Sequence, residues 1–384
     1  MTPSPIWATP FLDDHHRALA ARLAEWSIPH VEEEPADFGP PVRTMLRALA
    51  DEALLDLIIP AAGSTLAVDV RSVCLIREIL AYRSGGLADT AFVMQGIGTA
   101  PLWLAGGGAL AGEYLDRARQ GRTIAAFALT EPDAGSDVAA VATTAVRDGD
   151  DYVLNGTKTY ITNAGIADHY VIVARTGEAE GARGLSAFLV DADTPGLSAE
   201  TQDFVAAHAG GILRMNDMRV SASRMVGAPG SAFKLAMQTF DIFRVSVGAA
   251  ALGFARRALD ETVERVGSRA MFGKPMAAIE GVQSKIADMT VALEGAGLQV
   301  YRAAWSKDAG LGRCTREVSM AKLVATEAAQ EVVDTAVQLF GGAGVLRGSI
   351  VERLYREIRP MRIYEGASEV QKLVIARDIL KPRS

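Results

Sequence analysis

At 384 residues, the chain is longer than one hydrophobic core usually serves, so we expect two or three domains. With 49% hydrophobic and 22% charged residues, the composition predicts a compact soluble protein. The net charge of −7 and the lack of a basic run make nucleic acid a poor partner.

The N-terminus and the cysteines bear on the compartment. The first residues, MTPSPIWATPFLDDHH, have no charged region followed by an apolar run, so we expect neither a secretory signal nor a transit peptide. No apolar stretch suggests a membrane span of roughly 18 residues. Cys74 and Cys314 lie far apart in helical-looking stretches, as a reducing compartment allows. We therefore expect a cytoplasmic protein.

The first part of the chain has the hydrophobic periodicity of helices. Apolar residues recur at helical spacing in HHRALAARLAEW, VRTMLRALADEALLDLII, VRSVCLIREILAY and LAGEYLDRARQG. Pro41, Pro60 and Pro101 and several glycines punctuate these segments. Residues 1–122 are predicted to form an N-terminal α-helical domain.

Between Thr123 and about Val226 the hydrophobic period changes to two. The segments TIAAFAL, TTAVRDGDDYVLNG, KTYITNA, HYVIVART and LSAFLVDA are separated by Asp-Gly and Asn-Gly turns, with a hairpin turn expected at Asn155-Gly156. Residues 123–230 are predicted to form a middle antiparallel β domain.

From Phe233 onward, long helical periodicities return. They are FRVSVGAAALGFARRALDETVERV, VQSKIADMTVALEGAGLQVYRAAW and REVSMAKLVATEAAQEVVDTAVQLF, followed by the shorter VERLYREI and EVQKLVIARDIL. Such helices with short connections predict a bundle over residues 231–384. The order α, β, α is not a βαβ alternation, so the predicted fold class is α+β.

Three familiar site patterns are weak or missing. GGGALA at 106–111 matches a variant of the dinucleotide fingerprint, but it follows helix-like sequence and no further βα unit follows, so a glycine-rich helix cap is the better interpretation. The five histidines show no metal-ligand spacing; we expect no metal, and we expect His15 and His16 on a solvated helix face. No G-x-S-x-G elbow supports a serine hydrolase.

Three other segments carry polar groups that suit a site. The loop ALTEPDAGSD at 128–137 suits a polar heterocycle or a thioester chain, although a plain surface turn has the same composition. In KTYITNA, Tyr160 and Thr162 share a strand face, where they can bind a flat ring or form a cross-strand pair. In IYEGASEVQK, a helix N-terminus capped by Ser368 explains the acid at Glu369 better than the acid at Glu365.

In this order and spacing, these segments resemble the signature segments of the FAD-dependent acyl-CoA dehydrogenase family. SRAMFGKPMA at 268–277 resembles the family's flavin contact, QLFGGAGV at 338–345 its dinucleotide loop, and IYEGASEVQ its catalytic-base segment. The resemblance covers essentially the whole chain. It implies an N-terminal helical domain, a central antiparallel β-barrel domain, a C-terminal four-helix bundle, and a homotetramer built as a dimer of dimers.

The resemblance implies oxidation of an acyl-CoA thioester to the 2,3-enoyl-CoA. Glu365 would take the α proton, flavin N5 the β hydride, and an electron-transfer flavoprotein the electrons. Burial against an acyl chain would raise the pKa of Glu365, and Gly366 would keep the chain narrow beside the substrate. An acyl carrier protein as the handle, and a flavin oxidase or monooxygenase on the same scaffold, stay open as alternatives.

The implied FAD contacts come from both the β block and the C-terminal block. Arg269 would hold the pyrophosphate, and Gln338 with its glycine turn would reach the cofactor of a neighbouring subunit. Glu280 stands where the family commonly has a glutamine, which suggests a rearranged contact or weaker FAD retention. The full set is Phe127, Leu129, Thr130, Ser136, Tyr160, Ile161, Thr162, Arg269, Phe272, Glu280, Gln338, Gly341, Gly342, Ala367 and Glu369.

The implied substrate contacts include the pocket floor FVMQGIG at 92–98, whose apolar residues hint at an apolar acyl group without fixing its length. Arg244 and Arg377 have a structural alternative, which is ion pairing within the bundle. The full set is Val93, Met94, Ser136, Asp241, Arg244, Gly366 and Arg377.

A flavin-containing DNA-binding relative is the alternative from another class. Such a protein would carry an extra basic C-terminal domain, whereas the tail here offers only Lys381 and Arg383, which we expect to be exposed. The charge pattern disfavours this alternative.

Overall fold

The computed structural model describes residues 4–31, 34–61, 63–64 and 67–381. Its elements follow the predicted order of helices, strands and helices, which confirms the α+β fold class. Lys381 is exposed as expected, whereas Arg383 lies outside the described residues. The helices are α1 (Asp14–Glu25), α2 (Gly39–Asp51), α3 (Val70–Arg83), α4 (Gly86–Leu104), α5 (Ala109–Arg119), α6 (Ala232–Ser268), α7 (Glu280–Asp308), α8 (Thr315–Phe340), α9 (Ile350–Ile358) and α10 (Ser368–Ile379).

The chain divides into two compact units. The helical unit consists of residues up to 27, residues 69–89 and residues from 244 onward, and the β unit consists of residues 28–68 and 90–243. The three sequence-based domain boundaries stay a prediction. The strands are β1 (Ala125–Ala128), β2 (Thr144–Asp148), β3 (Asp151–Thr162), β4 (His169–Arg175), β5 (Leu185–Asp191), β6 (Leu197–Thr201), β7 (Gly210–Ser221), β8 (Met225–Val226), β9 (Ala270–Met271) and β10 (Lys274–Pro275).

The β unit contains one sheet with the strand order β6-β7-β3-β2-β4-β5-β8, and β1 pairs with β4. Most pairs are antiparallel as predicted, but β1 runs parallel to β4, and Thr144 of β2 meets Arg175 of β4 in parallel. The sheet is therefore mixed. The parallel pairs join strands that are not neighbours in sequence, so no tight turn forces them to run antiparallel.

The prediction of a hairpin turn at Asn155-Gly156 is wrong, because strand β3 continues through both residues. The ladder to β7 shifts register here, between Leu154 and Gly156. A Cβ on Gly156 would lie 2.8 Å from the Thr143 Cα, so this glycine permits a close backbone approach. The Asn155 side chain accepts the Asp217 N–H at 2.8 Å and thus serves the sheet. The tight β2–β3 turn lies at Gly149 instead.

Two expectations about the helical segments also need correction. Pro101 lies inside α4 and does not end it. By length and composition, helix α6 could cross a membrane, although we expected no apolar stretch of that length. Since 67% of its most apolar window is buried inside the protein, α6 has the character of a core helix.

The GGGALA segment joins α4 to α5 and follows a helix, as the cap interpretation predicts. Gly106, Gly107 and Gly108 all have positive φ, which L-residues with side chains rarely adopt. The dinucleotide interpretation therefore lacks the strand that it requires.

His16 does not lie on a solvated face, because its side chain is fully buried. Its Nδ1 accepts the Asp13 N–H at 3.0 Å, which leaves Nε2 to donate to Asp69 at 2.9 Å. Ligand-type atoms of Asp13, His15 and His16 lie within 4.8 Å of one another, a proximity that spacing did not predict. Both ring nitrogens of His16 are already bonded, so the group works as a cap for α1. The absence of a metal stays a prediction.

A buried ion pair shapes the loop after β1. The Lys158 side chain has no exposed surface. Its Nζ lies 2.7 Å from Glu131 Oε1 and 3.0 Å from the Leu129 carbonyl oxygen. The Glu131 carboxylate also accepts the N–H groups of Ala142 and Thr143 at 2.7 and 2.9 Å. Burial lowers the pKa of Lys158 to about 8, against the raising effect of Glu131. One carboxylate thus ties both ends of the loop to β3.

We expect Glu131→Gln to destabilise the protein by about 3 kcal/mol, because the substitution strands a buried ammonium. The thermal unfolding midpoint should fall by several degrees. Glu200→Gln is the matched control, since Glu200 pairs with Arg214 at 3.0 Å on the exposed surface; there we expect a change within about 0.5 kcal/mol. Equal midpoints for the two variants would contradict a structural role for the buried pair.

Candidate active site

The segment between α9 and α10 carries Glu365 in an unusual backbone conformation. Glu365 has a φ of 52° and Gly366 a φ of 94°, so two successive residues are in the left-handed region. For a residue with a Cβ this conformation costs about 1 kcal/mol, and it persists only where the surroundings fix it. We call residues 363–367 the base turn.

Three side-chain donors from different helices fix the base turn. Arg244 Nε of α6 donates to the Glu365 carbonyl oxygen at 3.0 Å. Lys322 Nζ of α8 and Gln371 Nε2 of α10 both donate to the Gly366 carbonyl oxygen at 2.9 Å. A Cβ on Gly366 would lie 2.3 Å from Gln371 Nε2, so the glycine also makes room for this donor.

Glu327 of α8 ties the two flanks of the base turn together. Its carboxylate accepts a hydrogen bond from Arg362 Nε at 2.9 Å and from Ser368 Oγ at 2.5 Å. Ser368 therefore does not cap α10; Ala367 occupies the cap position and makes no side-chain cap bond. The sequence-based capping role of Ser368 is wrong.

The Glu365 carboxylate sits in an environment that disfavours its charge. The residue is half-buried, and its Oε2 atom is shielded from solvent without a hydrogen-bond partner among the described residues. Burial raises the pKa of Glu365 above its usual range, although the positive charges of Arg77, Arg244 and Lys322 oppose the shift. Arg77 is itself paired with Asp89 at 2.7 Å. A carboxylate with a raised pKa is suited to accept a proton near neutral pH.

In the β unit, Tyr160 lies at a second irregularity of β3. The register to β7 shifts between Lys158 and Ile161, and Tyr160 has a φ of 57°. The Tyr160 residue is 62% exposed, Ile161 is buried and Thr162 is half-buried. A bulge of this kind redirects side chains, which strand alternation alone does not predict. The exposed ring is available to cover a flat ligand.

The hairpin β9–β10 presents Arg269 and Phe272. Phe272 and Gly273 form its turn with φ values of 50° and 77°, and the Phe272 residue is 90% exposed. The exposed Arg269 guanidinium makes no hydrogen bond or ion pair with any described residue. Its planar donor fork is therefore free to bind a phosphate group.

The predicted site residues differ widely in exposure, and their individual roles stay predictions. Arg377 is exposed and has no ion pair within the described part of the chain, so its structural alternative is not seen. Buried residues are Val93, Met94, Phe127, Leu129 and Ile161; half-buried are Thr130, Thr162, Asp241, Arg244, Glu365, Gly366 and Ala367; exposed are Ser136, Tyr160, Arg269, Phe272, Glu280, Gln338, Gly341, Gly342, Glu369 and Arg377.

The residues fit a flavin nucleotide by the chemistry of their donors. The exposed Tyr160 ring has the chemistry to stack on a flat heterocycle, and the free Arg269 guanidinium has the chemistry to bind a phosphate group. Sequence reasoning missed the groups that support the site, namely Lys322, Glu327 and Gln371. The one available signal was Lys322, a charge on the otherwise uncharged buried stripe of α8.

Comparison with known proteins places the chain in a family. Residues 126–216 match the model of the acyl-CoA dehydrogenase middle domain, and residues 230–380 match that of the acyl-CoA dehydrogenase C-terminal domain. A 3-(aryl)acrylate reductase of Clostridium sporogenes is 35% identical over 377 residues, 97% of this chain and 100% of that protein. A cyclohexane-1-carbonyl-CoA dehydrogenase of Geobacter metallireducens is 38% identical over 341 residues, 88% of this chain and 89% of that protein.

A solved structure extends the likeness to three dimensions. A glutaryl-CoA dehydrogenase from Mycobacterium smegmatis in complex with FADH2 matches with a TM-score of 0.86 at 27% identity, covering 97% of this chain and 96% of that one. Since the sequence similarity spans nearly the full length of the relatives and the fold agrees, the chain belongs to the acyl-CoA dehydrogenase family of oxidoreductases.

Proposed function

We propose that the chain oxidises an acyl-CoA thioester to the 2,3-enoyl-CoA, with Glu365 as the base that removes the α proton. The observation that carries the proposal is the state of Glu365, whose shielded Oε2 has no hydrogen-bond partner among the described residues and whose pKa is raised. Family membership supports an acyl thioester as the substrate class.

The chemistry of the chain's own residues is a proton transfer. Glu365 accepts the α proton, and the electron pair of the broken C–H bond forms the new double bond as the β carbon loses a hydride. The Glu365 main-chain N–H donates to no described residue, which leaves it free for the thioester carbonyl. Such a bond acidifies the α proton by stabilising the charge that develops on the carbonyl oxygen.

FAD is the proposed cofactor, and when bound it supplies the acceptor for the β hydride. Arg269 would hold its pyrophosphate and Tyr160 would cover its ring, while Phe127, Leu129 and Thr130 would line it. The M. smegmatis relative solved with FADH2 supports this assignment. We further propose that an electron-transfer flavoprotein takes up the electrons, and that the protein is a cytoplasmic homotetramer. The family resemblance supports the electron acceptor and the tetramer, and the two free cysteines, Cys74 and Cys314, support a reducing compartment.

Reduction of an enoyl group is the second candidate function. The C. sporogenes relative, similar over 97% of this chain, is named a reductase of 3-(aryl)acrylates. A protonated Glu365 would then give a proton to the α carbon, and a bound reduced flavin would supply the hydride for the β carbon. The raised pKa of Glu365 suits that direction as well. Reduced protein that is reoxidised by an aryl acrylate and not by any enoyl-CoA would favour this function.

The direct test is an anaerobic spectral titration of FAD-loaded protein with straight, branched and cyclic acyl-CoAs. We expect one class to bleach the flavin of the wild type, and electron-transfer flavoprotein added afterwards to restore its colour. Glu365→Gln should slow the bleaching at least about 10³-fold, because the amide cannot accept the proton.

Glu331→Gln is the matched control, since Glu331 lies exposed on α8 and makes no hydrogen bond or ion pair with the base turn. It should bleach at the rate of the wild type. A Glu365→Gln variant that is reduced as fast as this control would disprove the base assignment.

The pH dependence follows from the direction of the Glu365 pKa. The carboxylate form is the active base, so the rate of flavin reduction should rise with pH as Glu365 loses its proton. Because burial raises this pKa, the midpoint should lie above 4.5, the ordinary value for glutamate. Stopped-flow flavin reduction measured between about pH 5 and 9 checks this, and a midpoint at or below the ordinary value would be inconsistent with it.

A further inference from the structure

Lys322 is a buried charge without a partner acid. Its side chain has no exposed surface, and its Nζ makes a single hydrogen bond, to the Gly366 carbonyl oxygen at 2.9 Å. Among the described residues, no carboxylate lies within salt-bridge distance of this Nζ. Burying an unpaired ammonium is costly, so the fold alone would favour an apolar residue here, like Val318 and Ala325 on the same stripe.

Lys158 provides the contrast. It is the other lysine with a fully buried side chain in the described part of the chain, and it has Glu131 at 2.7 Å. A lysine buried for the sake of the fold is thus paired directly in this protein. Lys322 instead donates its single hydrogen bond to the carbonyl oxygen of Gly366, the residue after Glu365.

The Lys322 ammonium interacts electrostatically with Glu365. Burial lowers the pKa of Lys322 to about 8, while Glu365, which has the largest effect of the surrounding charges, raises it. Arg244 lowers the pKa further, and Glu327 and Glu369 raise it. At neutral pH the side chain therefore carries a proton, and its charge favours the carboxylate form of the base.

The groups facing Glu365 complete the electrostatic environment. The positive charges of Arg77, Arg244 and Lys322 oppose the effect of burial, and Asp89 adds to it. Arg77 is neutralised at close range by Asp89, whereas Lys322 is not neutralised by any such contact. Removing the Lys322 charge should therefore change the proton affinity of Glu365.

We propose that Lys322 is a positioning residue for the Glu365 base. Its ammonium holds the Gly366 carbonyl, which fixes the left-handed conformation of the base turn, and it keeps a positive charge beside the carboxylate. This inference rests on the proposed function of Glu365.

The test uses FAD-loaded Lys322→Met and Lys322→Gln, with the acyl-CoA that bleaches the wild type. Methionine keeps the length but removes donor and charge, so we expect flavin reduction to slow about 10- to 100-fold and the acid limb of its pH profile to move up by about one pH unit. Glutamine keeps an N–H donor but no charge, so Lys322→Gln should be reduced faster than Lys322→Met while the acid limb of its pH profile stays shifted. Apparent substrate affinity should stay within about twofold.

Thr326→Val is the matched control. Thr326 is fully buried one turn further along α8, and its Oγ1 donates only within the helix, to the main-chain carbonyl oxygens of Lys322 at 3.0 Å and Leu323 at 3.4 Å. The rate and the pH profile of this variant should equal those of the wild type.

The outcomes separate this inference from the proposed function. If no acyl-CoA reduces the wild type, or if Glu365→Gln is reduced normally, the proposed function fails and the inference falls with it. If both hold and Lys322→Met keeps the wild-type rate and acid limb, only the inference is overturned. If Lys322→Met loses FAD, the position of the acid limb in the pH profile of Lys322→Gln tests the inference instead. Loss of FAD in both variants would show that the lysine is purely structural and would overturn the inference.

Discussion

The site depends on two carbonyl oxygens, those of Glu365 and Gly366, and on the donors that hold them. A glutamate avoids a φ of 52° unless other contacts compensate. Here Arg244, Lys322 and Gln371 supply those contacts from three helices. The long helices therefore do more than form a core, because they bring donors that are distant in sequence to one short turn.

Burial and charge act on the base in opposite directions. Burial raises the pKa of Glu365, and the positive charges of Arg77, Arg244 and Lys322 oppose that shift. In the β unit, the Glu131–Lys158 pair shows the other arrangement, in which acid and base neutralise each other and the product is a fixed loop. Lysine thus has two different partners in the two units: Lys158 pairs with a carboxylate, whereas Lys322 donates to a main-chain carbonyl oxygen.

The fold class was predictable because it rests on the hydrophobic period, which is two in the part of the chain that forms β1 to β7 and helical in the parts that form the long helices. Prediction from the sequence failed where a residue type can play two different structural roles. Asn-Gly at 155–156 is a common turn, yet contacts with Thr143 and Asp217 make it part of a long strand. His16 looked solvated because its partner Asp69 is far along the chain.

The candidate site was predictable only in part, for a related reason. Glu365 stood out because local capping explains it poorly. Its supports could not be found locally, since Lys322 and Gln371 act through main-chain oxygens, which leave no pattern in a sequence. The exposure of Tyr160 depends on a bulge, and strand alternation cannot foresee where an extra residue enters a ladder.

The packing of Gly366 against Gln371 limits how this protein can diverge. A smaller residue at 371 would clear the space for a side chain at 366, but the backbone would still have a φ of 94° that such a residue resists. Two substitutions would thus be needed, and the first would remove a donor from the turn. Position 366 is therefore restricted to glycine on two separate grounds, the contact with Gln371 and the left-handed backbone.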